Sequence, residues 1–250
     1  MPYTAEQRKA LMQRCTQFLN GFVRRTPAQE FQLMAQWCES NQVDTDVYGE
    51  GRALAAFEQK IATLLGKEAA VLMPSGKMAQ LIALKLWTER AGLPRFAMHP
   101  TSHIELHEAR AYASLLQLEG VLAGDWNRPL TSADLAAVAE PLAALIVELP
   151  IREAGGQLPS WEALLALRDE ALQRNVRLHL DGARLWESQP FYGRSYAEIA
   201  SLFDSVYVSI YKSIGGISGA LLAGDSAFIA SGRFSDRIST PSRGSTVRQR

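Results

Sequence analysis

The sequence predicts an α/β protein with a mostly parallel central sheet covered by helices. Three observations carry that prediction. Short apolar runs alternate with helix-length segments through most of the chain, the pattern of strands joined by helical crossovers. The runs are apolar along their length, as in "AALIVELP" and "SVYVSI", which suits a sheet with helices over it. The chain has 250 residues, 47% hydrophobic and 21% charged, enough for one sizeable core.

Two amphipathic helices open the chain. "TAEQ" (4–7) and "TPAQ" (26–29) each set Thr at a cap position with Gln three residues on. The second adds Pro27 at the first helical position, where a missing N–H costs nothing. Cys15 and Cys38 lie in this helical text without redox or metal spacing and are read as packing residues of a reducing compartment. After the glycine-punctuated "DTDVYGEG" (44–51), helical text leads to strand candidates at 69–73, 95–99, 114–123, 143–150, 176–181, 205–210 and 219–224. Helix-like segments at 76–91, 132–140, 160–175 and 195–203 lie among them, the last opening on the capping pair Ser195 and Glu198. The expected organisation is a helical segment at 1–43, one large domain at 44–228 and a tail at 229–250. The tail text "ASGRFSDRISTPSRGSTVRQR" is rich in Ser and Arg and reads as disordered or aberrant.

Lys plus Arg equals Asp plus Glu at 26 each, so no net field favours nucleic acid or an anionic membrane. No segment has the uninterrupted apolar length of a membrane span or a leader. A soluble, cytoplasmic protein is expected.

In such a sheet, ligands gather beyond the carboxyl ends of the strands. There the chain carries Ser75, Gly76 and Lys77; then Pro100 to His103; then Arg152; then Asp181 to Arg184; then Lys212 and its glycines. A carboxylate ending the apolar run "VRLHLD" is costly unless it caps a helix or meets a cation, and capping alone accounts for Asp181 equally well. Lys212 ends the next strand. Most strand-end lysines point into water, but a desolvated one is an amine nucleophile. Together the two supply what a pyridoxal phosphate site requires, a lysine for the imine and an acid facing the pyridine nitrogen. "MPSGKMAQ" (73–80) offers a phosphate cradle where small residues precede a helix N-terminus. It is not a Walker loop, because Met78 follows Lys77. Ser209 either adds a hydroxyl to that phosphate or is a satisfied strand serine.

His99, His103 and His107 stand four apart, yet Pro100 disfavours helix at His99 and no third ligand follows for a pair, so no metal site is expected. His103 is better used as an aromatic plate over a flat ring and a proton acceptor. His179, inside a strand, reads as a core residue.

"DVYGEG", "FEQKIATLLGKEAAVLMPSGKMAQLIAL", "HPTSHIELHE", "GGQLPSWEAL", "HLDGARLWES" and "FDSVYVSIYKSIGG" follow in order from about Asp46 to about Gly224. They resemble the threonine aldolase / β-eliminating lyase family of fold-type I pyridoxal phosphate enzymes. The resemblance implies a large domain with a mostly parallel sheet, a smaller C-terminal domain, and homodimers or homotetramers whose sites neighbouring subunits complete. It also implies roles: Lys212 as the imine lysine, Asp181 as partner of the pyridine nitrogen, and His103 as stacking residue and base. Ser75, Gly76 and the Lys77 backbone would hold phosphate, with Ser209 beside them. Arg184 would meet the substrate carboxylate, and Tyr48 with Gly49 would lie in a loop near the site. The activity implied is cleavage of a β-hydroxy amino acid, of threonine or allo-threonine type, to glycine and an aldehyde. The alternatives are β-elimination on another amino acid, or a truncated cofactor-binding protein with little catalysis. Three departures stand out: Ser-Gly-Lys for the family's Ser-Gly-Thr, Tyr211 where aldolases carry Ser, and the 229–250 tail in place of a small domain.

Overall fold

A computed structural model of the chain describes residues 3–15 and 25–233. Helices α1 (Ala5–Arg14) and α2 (Pro27–Ser40) begin at the predicted caps, with Thr4 and Gln7, and Thr26 and Gln29, exchanging side-chain-to-backbone bonds. Helix α2 has no buried residue, and Cys15 and Cys38 are exposed. The packing role read for the cysteines is therefore wrong: among the described residues nothing covers these helices.

The remaining elements are α3 (Arg52–Leu64), β1 (Ala69–Met73), α4 (Gly76–Ala91), β2 (Arg95–Met98), α5 (His103–Leu106), α6 (Ala111–Leu116) and β3 (Glu119–Leu122). They continue through α7 (Ser132–Ala136), β4 (Ala144–Glu148), α8 (Trp161–Gln173), β5 (Arg177–Gly182), a 3-10 turn (Leu185–Glu187), α9 (Gln189–Tyr192), α10 (Tyr196–Ser201), β6 (Ser205–Ser209), β7 (Ala220–Gly224) and α11 (Ser226–Gly232). Among the described residues the strands form one sheet in the order β1-β7-β6-β5-β4-β2-β3, and only β7 runs against the others. The mostly parallel α/β reading holds.

Two corrections apply. The strand expected at 114–123 opens as helix: α6 runs to Leu116, Gln117 caps it left-handed at φ 57°, and Leu118 N–H closes the turn on Tyr112 C=O. Only then does β3 start alongside β2. A run of apolar residues cannot show where a short helix gives way to a short strand. Secondly, the boundary at 228 cuts through α11, where Phe228 and Ile229 are buried and Phe228 stacks on Trp87 at 4.4 Å. Residues 234–250 of the expected tail lie outside the described residues.

Both faces of the sheet are packed. Leu145, Val147, Leu178, Leu180, Val206 and Val208 point to one side, toward α3, α7 and α8. Their alternates Ile146, Tyr207, Ala220 and Leu222 point to the other, beneath α4. That alternation decides the site, since Glu148, Asp181 and Tyr207 stand in register on the α4 side. Among the described residues no helix is long and apolar enough to cross a membrane.

Candidate active site

Helix α4 begins where β1 ends. Ser75 caps it by accepting from Met78 N–H at 3.2 Å, which leaves the Gly76 and Lys77 N–H groups without intrahelical partners at the positive end of a 16-residue helix. Gly76 is obligatory: a Cβ there would overlap the Tyr207 hydroxyl. The close approach brings the helix N-terminus down onto the carboxyl ends of β5 and β6.

Asp181 closes β5 and is 1% exposed. Its Oδ1 accepts from Ala183 N–H at 3.1 Å and its Oδ2 from Gln80 Nε2 at 2.5 Å. Lys212 follows β6 on a loop tied at three points: Trp186 Nε1 donates to Ser209 C=O at 2.9 Å, Ser213 Oγ donates to Glu187 at 2.6 Å, and Gly216 N–H to Ile210 C=O at 2.7 Å. Trp186 and Glu187 lie in the 3-10 turn after Asp181, so one short turn sets the carboxylate strand against the lysine loop. Ser209 is fully buried at the end of β6 on the same face as Tyr207. Tyr211 is 40% exposed, and the Lys212 amine lies 5.9 Å from its ring centre.

Burial lowers the pKa of the Lys212 amine, with Asp181 the main group opposing it. Burial likewise lowers that of His103, again against Asp181, with Lys212 among the cations that add to the lowering. Asp181, Lys212 and His103 are thus electrostatic neighbours beyond the carboxyl ends of β5, β6 and β2. His103 opens α5 at Ser102, as Pro100 implied; its ring lies 5.1 Å from that of His107, and its Nε2 is 3.7 Å from Glu108. His99 takes no part. Its Nε2 reaches the Asp125 and Arg128 carbonyls at 2.7 and 2.9 Å, so that nitrogen carries the hydrogen and Nδ1 accepts from Thr101. His179 is fully buried and bonded to Ser205 at 2.8 Å. Among the described residues no three His, Cys, Asp or Glu side chains gather as a metal site requires.

Arg184 is half-buried just after β5 and acts electrostatically on both Lys212 and Glu148. Tyr48 stands 87% exposed on a loop built by Asp46, whose carboxylate accepts from the Gly49, Glu50 and Gly51 N–H groups. No hydrogen bond or ion pair among the described residues ties Tyr48 to the pocket.

The sequence reading missed four residues that stand around Asp181. Glu148, at the end of β4, faces Asp181 in register; burial and then Asp181 push its carboxyl up to about 8. Glu108 is pushed up by burial to about 7. Gln80 reaches Asp181 from α4, and Tyr207 stands beside it on β6. Glu148 carried the same signal as Asp181, a carboxylate ending an apolar run; the others carried none, because their roles arise from contacts distant in sequence.

Glu148 gives a pH prediction for the cofactor-free protein. Between the ordinary carboxyl value of 4.5 and about 8 the folded chain keeps a proton that the unfolded chain releases, so this group costs stability as pH rises through that window. Glu148→Gln should flatten the slope and be the more stable protein at pH 8, by on the order of 1–3 kcal/mol, while matching the parent near pH 5. Urea midpoints at the two pH values check this; equal offsets at both would refute it.

A lysine, a buried carboxylate and a helix N-terminus gathered at the carboxyl edge of this sheet define an α/β protein of the fold-type I class. A solved transaminase with PLP bound shares the fold, with a TM-score of 0.61 at 14% identity over 86% of this chain and 52% of that one. The chain belongs to the β-eliminating lyase family, whose model matches residues 28–237. A low specificity L-threonine aldolase of Escherichia coli (strain K12) is 31% identical over 193 residues, 75% of this chain and 57% of that protein. A low-specificity L-threonine aldolase of Candida albicans is 32% identical, over 73% of this chain and 51% of that one. A Listeria monocytogenes EGD-E structure, assigned provisionally as an L-allo-threonine aldolase, superposes with a TM-score of 0.84 at 42% identity, covering 92% of this chain and 64% of that one. The chain thus spans between about half and three fifths of the length of these curated relatives.

Proposed function

We propose that the protein is a pyridoxal phosphate-dependent lyase that cleaves a β-hydroxy amino acid of the threonine or allo-threonine type to glycine and an aldehyde. The observation that carries this reading is the meeting of the α4 N-terminal turn with buried Asp181 after β5 and with the tied-down Lys212 loop after β6, His103 following β2. The names of the relatives support the substrate class.

The pocket fits the cofactor on its own terms. Gly76 lets the α4 N-terminus close onto Tyr207, two helix N–H groups stand ready for phosphate, and the carboxyl oxygens Glu148 Oε2 and Glu108 Oε2 are buried without hydrogen-bond partners among the described residues. Bound there, the cofactor supplies an electron-accepting ring for the pair released when the Cα–Cβ bond breaks. The protein does the rest. Lys212, whose amine burial lowers in pKa, would hold the cofactor through its aldehyde carbon, the aldehyde oxygen leaving as water. Asp181 would face the ring nitrogen and favour its protonated form. His103, whose pKa burial lowers, would cover the ring and accept the substrate's β-hydroxyl proton. Arg184 takes the substrate carboxylate, whose geometry its guanidinium matches. Ser75, Gly76 and the Lys77 backbone would hold the phosphate, with the Lys77 cation in place of a hydroxyl. Tyr48 and Gly49 reach a site from their exposed loop, and the assembly is a cytoplasmic homo-oligomer; both cysteines are free, as a reducing compartment leaves them.

Aldehyde release from threonine and allo-threonine, with glycine as the co-product, tests the reaction. Cofactor uptake without aldehyde from either substrate would refute the lyase assignment and leave a cofactor-binding protein. No uptake would remove both.

A further inference from the structure

Helix α4 meets the site twice, through its N-terminus and, one turn further on, through Gln80. Gln80 is 1% exposed and donates Nε2–H to Asp181 Oδ2 at 2.5 Å. The assignment of its amide is forced, since the flipped form would set a carbonyl oxygen against a carboxylate with no hydrogen between them. Its own Oε1 is buried and has no hydrogen-bond partner among the described residues. A buried unpaired carbonyl is a cost that an apolar side chain would avoid, so packing alone does not explain an amide here.

The surroundings of Asp181 show what the amide achieves. Glu148 on β4 and Tyr207 on β6 flank it in register. Lys212 lies beyond β6, Arg184 after β5, and His103 and Glu108 come from α5 and its end; all act electrostatically with Asp181 or with its neighbour Glu148. The Ala183 N–H fixes one carboxylate oxygen; Gln80 alone among the described side chains hydrogen-bonds the other. Two tethers on opposite oxygens fix the plane of a carboxylate, whereas one leaves it free to turn toward the neighbouring Glu148 carboxyl.

We propose that Gln80 is a positioning residue: its amide locks the Asp181 carboxylate in the plane that meets the pyridine nitrogen and keeps it from pairing with Glu148. The inference rests on the cofactor reading above. It extends the site to a residue that touches neither substrate nor cofactor.

The test is titration of pyridoxal phosphate into the cofactor-free chain, followed by absorbance, for the parent, Gln80→Met and Gln80→Glu between about pH 5.5 and 8.5. Gln80→Met keeps the shape and loses the donor; its affinity should fall roughly ten- to hundredfold at every pH, the loss of one charge-assisted bond. Gln80→Glu donates only while it carries its proton. Its affinity should approach the parent's at the acid end and fall to that of Gln80→Met as pH rises. A residue that merely filled space would produce no such crossover. Parent affinity in both variants across the range, or a Gln80→Glu profile parallel to the parent's, overturns the inference while leaving the cofactor reading intact. A parent that takes up no cofactor overturns both. Should Gln80→Met fail to fold, as thermal melting of the cofactor-free protein reveals, the Gln80→Glu profile decides alone.

Discussion

Lys212→Ala should abolish covalent retention of pyridoxal phosphate and lower aldehyde release from threonine by roughly 10³-fold or more, the scale on which loss of a covalent catalyst is felt. The argument is one of supply. Lys212 is the lysine whose amine is both desolvated and under the influence of Asp181. Lys67, also desolvated, donates to Phe203 C=O at 2.6 Å near the opposite edge of the sheet, where β6 begins. Lys77 is exposed at the start of α4. Borohydride treatment of the parent followed by peptide mapping should find the cofactor on the peptide containing Lys212. A label on Lys77, or one that survives in the variant, would sink the assignment. Folding should be unaffected, because removing a half-buried amine removes a desolvation cost along with its charge.

The second large effect is expected at Asp181. Asp181→Ala strips the acceptor from Gln80 Nε2 and Ala183 N–H, leaving two donors buried and unpaired at about 1–3 kcal/mol each. It also removes the main group that opposes the lowering of the Lys212 and His103 pKa values, so both should fall further. On the proposed cofactor reading the ring nitrogen would lose its partner, and turnover should drop by roughly 10²–10⁴-fold with weakened cofactor uptake. The same substitution relieves Glu148 of its carboxylate neighbour, so the Glu148 carboxyl should titrate lower and the cofactor-free protein should lose less stability between about pH 5 and 8. An Asp181→Ala protein that binds cofactor and turns over like the parent would exclude Asp181 from the site.

Much of this arrangement is legible in the chain itself. Thr4 with Gln7, Thr26 with Gln29 and Ser195 with Glu198 announce three helix starts through contacts three residues apart, and all three form. The runs that became β1, β4, β5, β6 and β7 are apolar because helices lie over both faces, so their burial is written in their composition. Asp181 and Lys212 could be singled out because a charged residue ending such a run is an exception that asks for a partner. Where the signal was weaker the reading slipped. The text from 114 to 123 has no breaker between helix and strand, and the tail composition hid the last turn of α11. The cysteines were placed inside because helical text was assumed to have a neighbour to pack on.

By itself, then, the sequence determined the helix caps, most strand runs, and which charged residues end them, because each depends on side chains a few positions apart. Only the tertiary structure decided that Glu148, Asp181 and Tyr207 stand abreast, that Gln80 descends on Asp181 from across the sheet, and that the turn after β5 ties down the Lys212 loop. Those contacts depend on strand order and on the path of α4 over one face. Both follow from the packing of the whole core, and no local pattern encodes them.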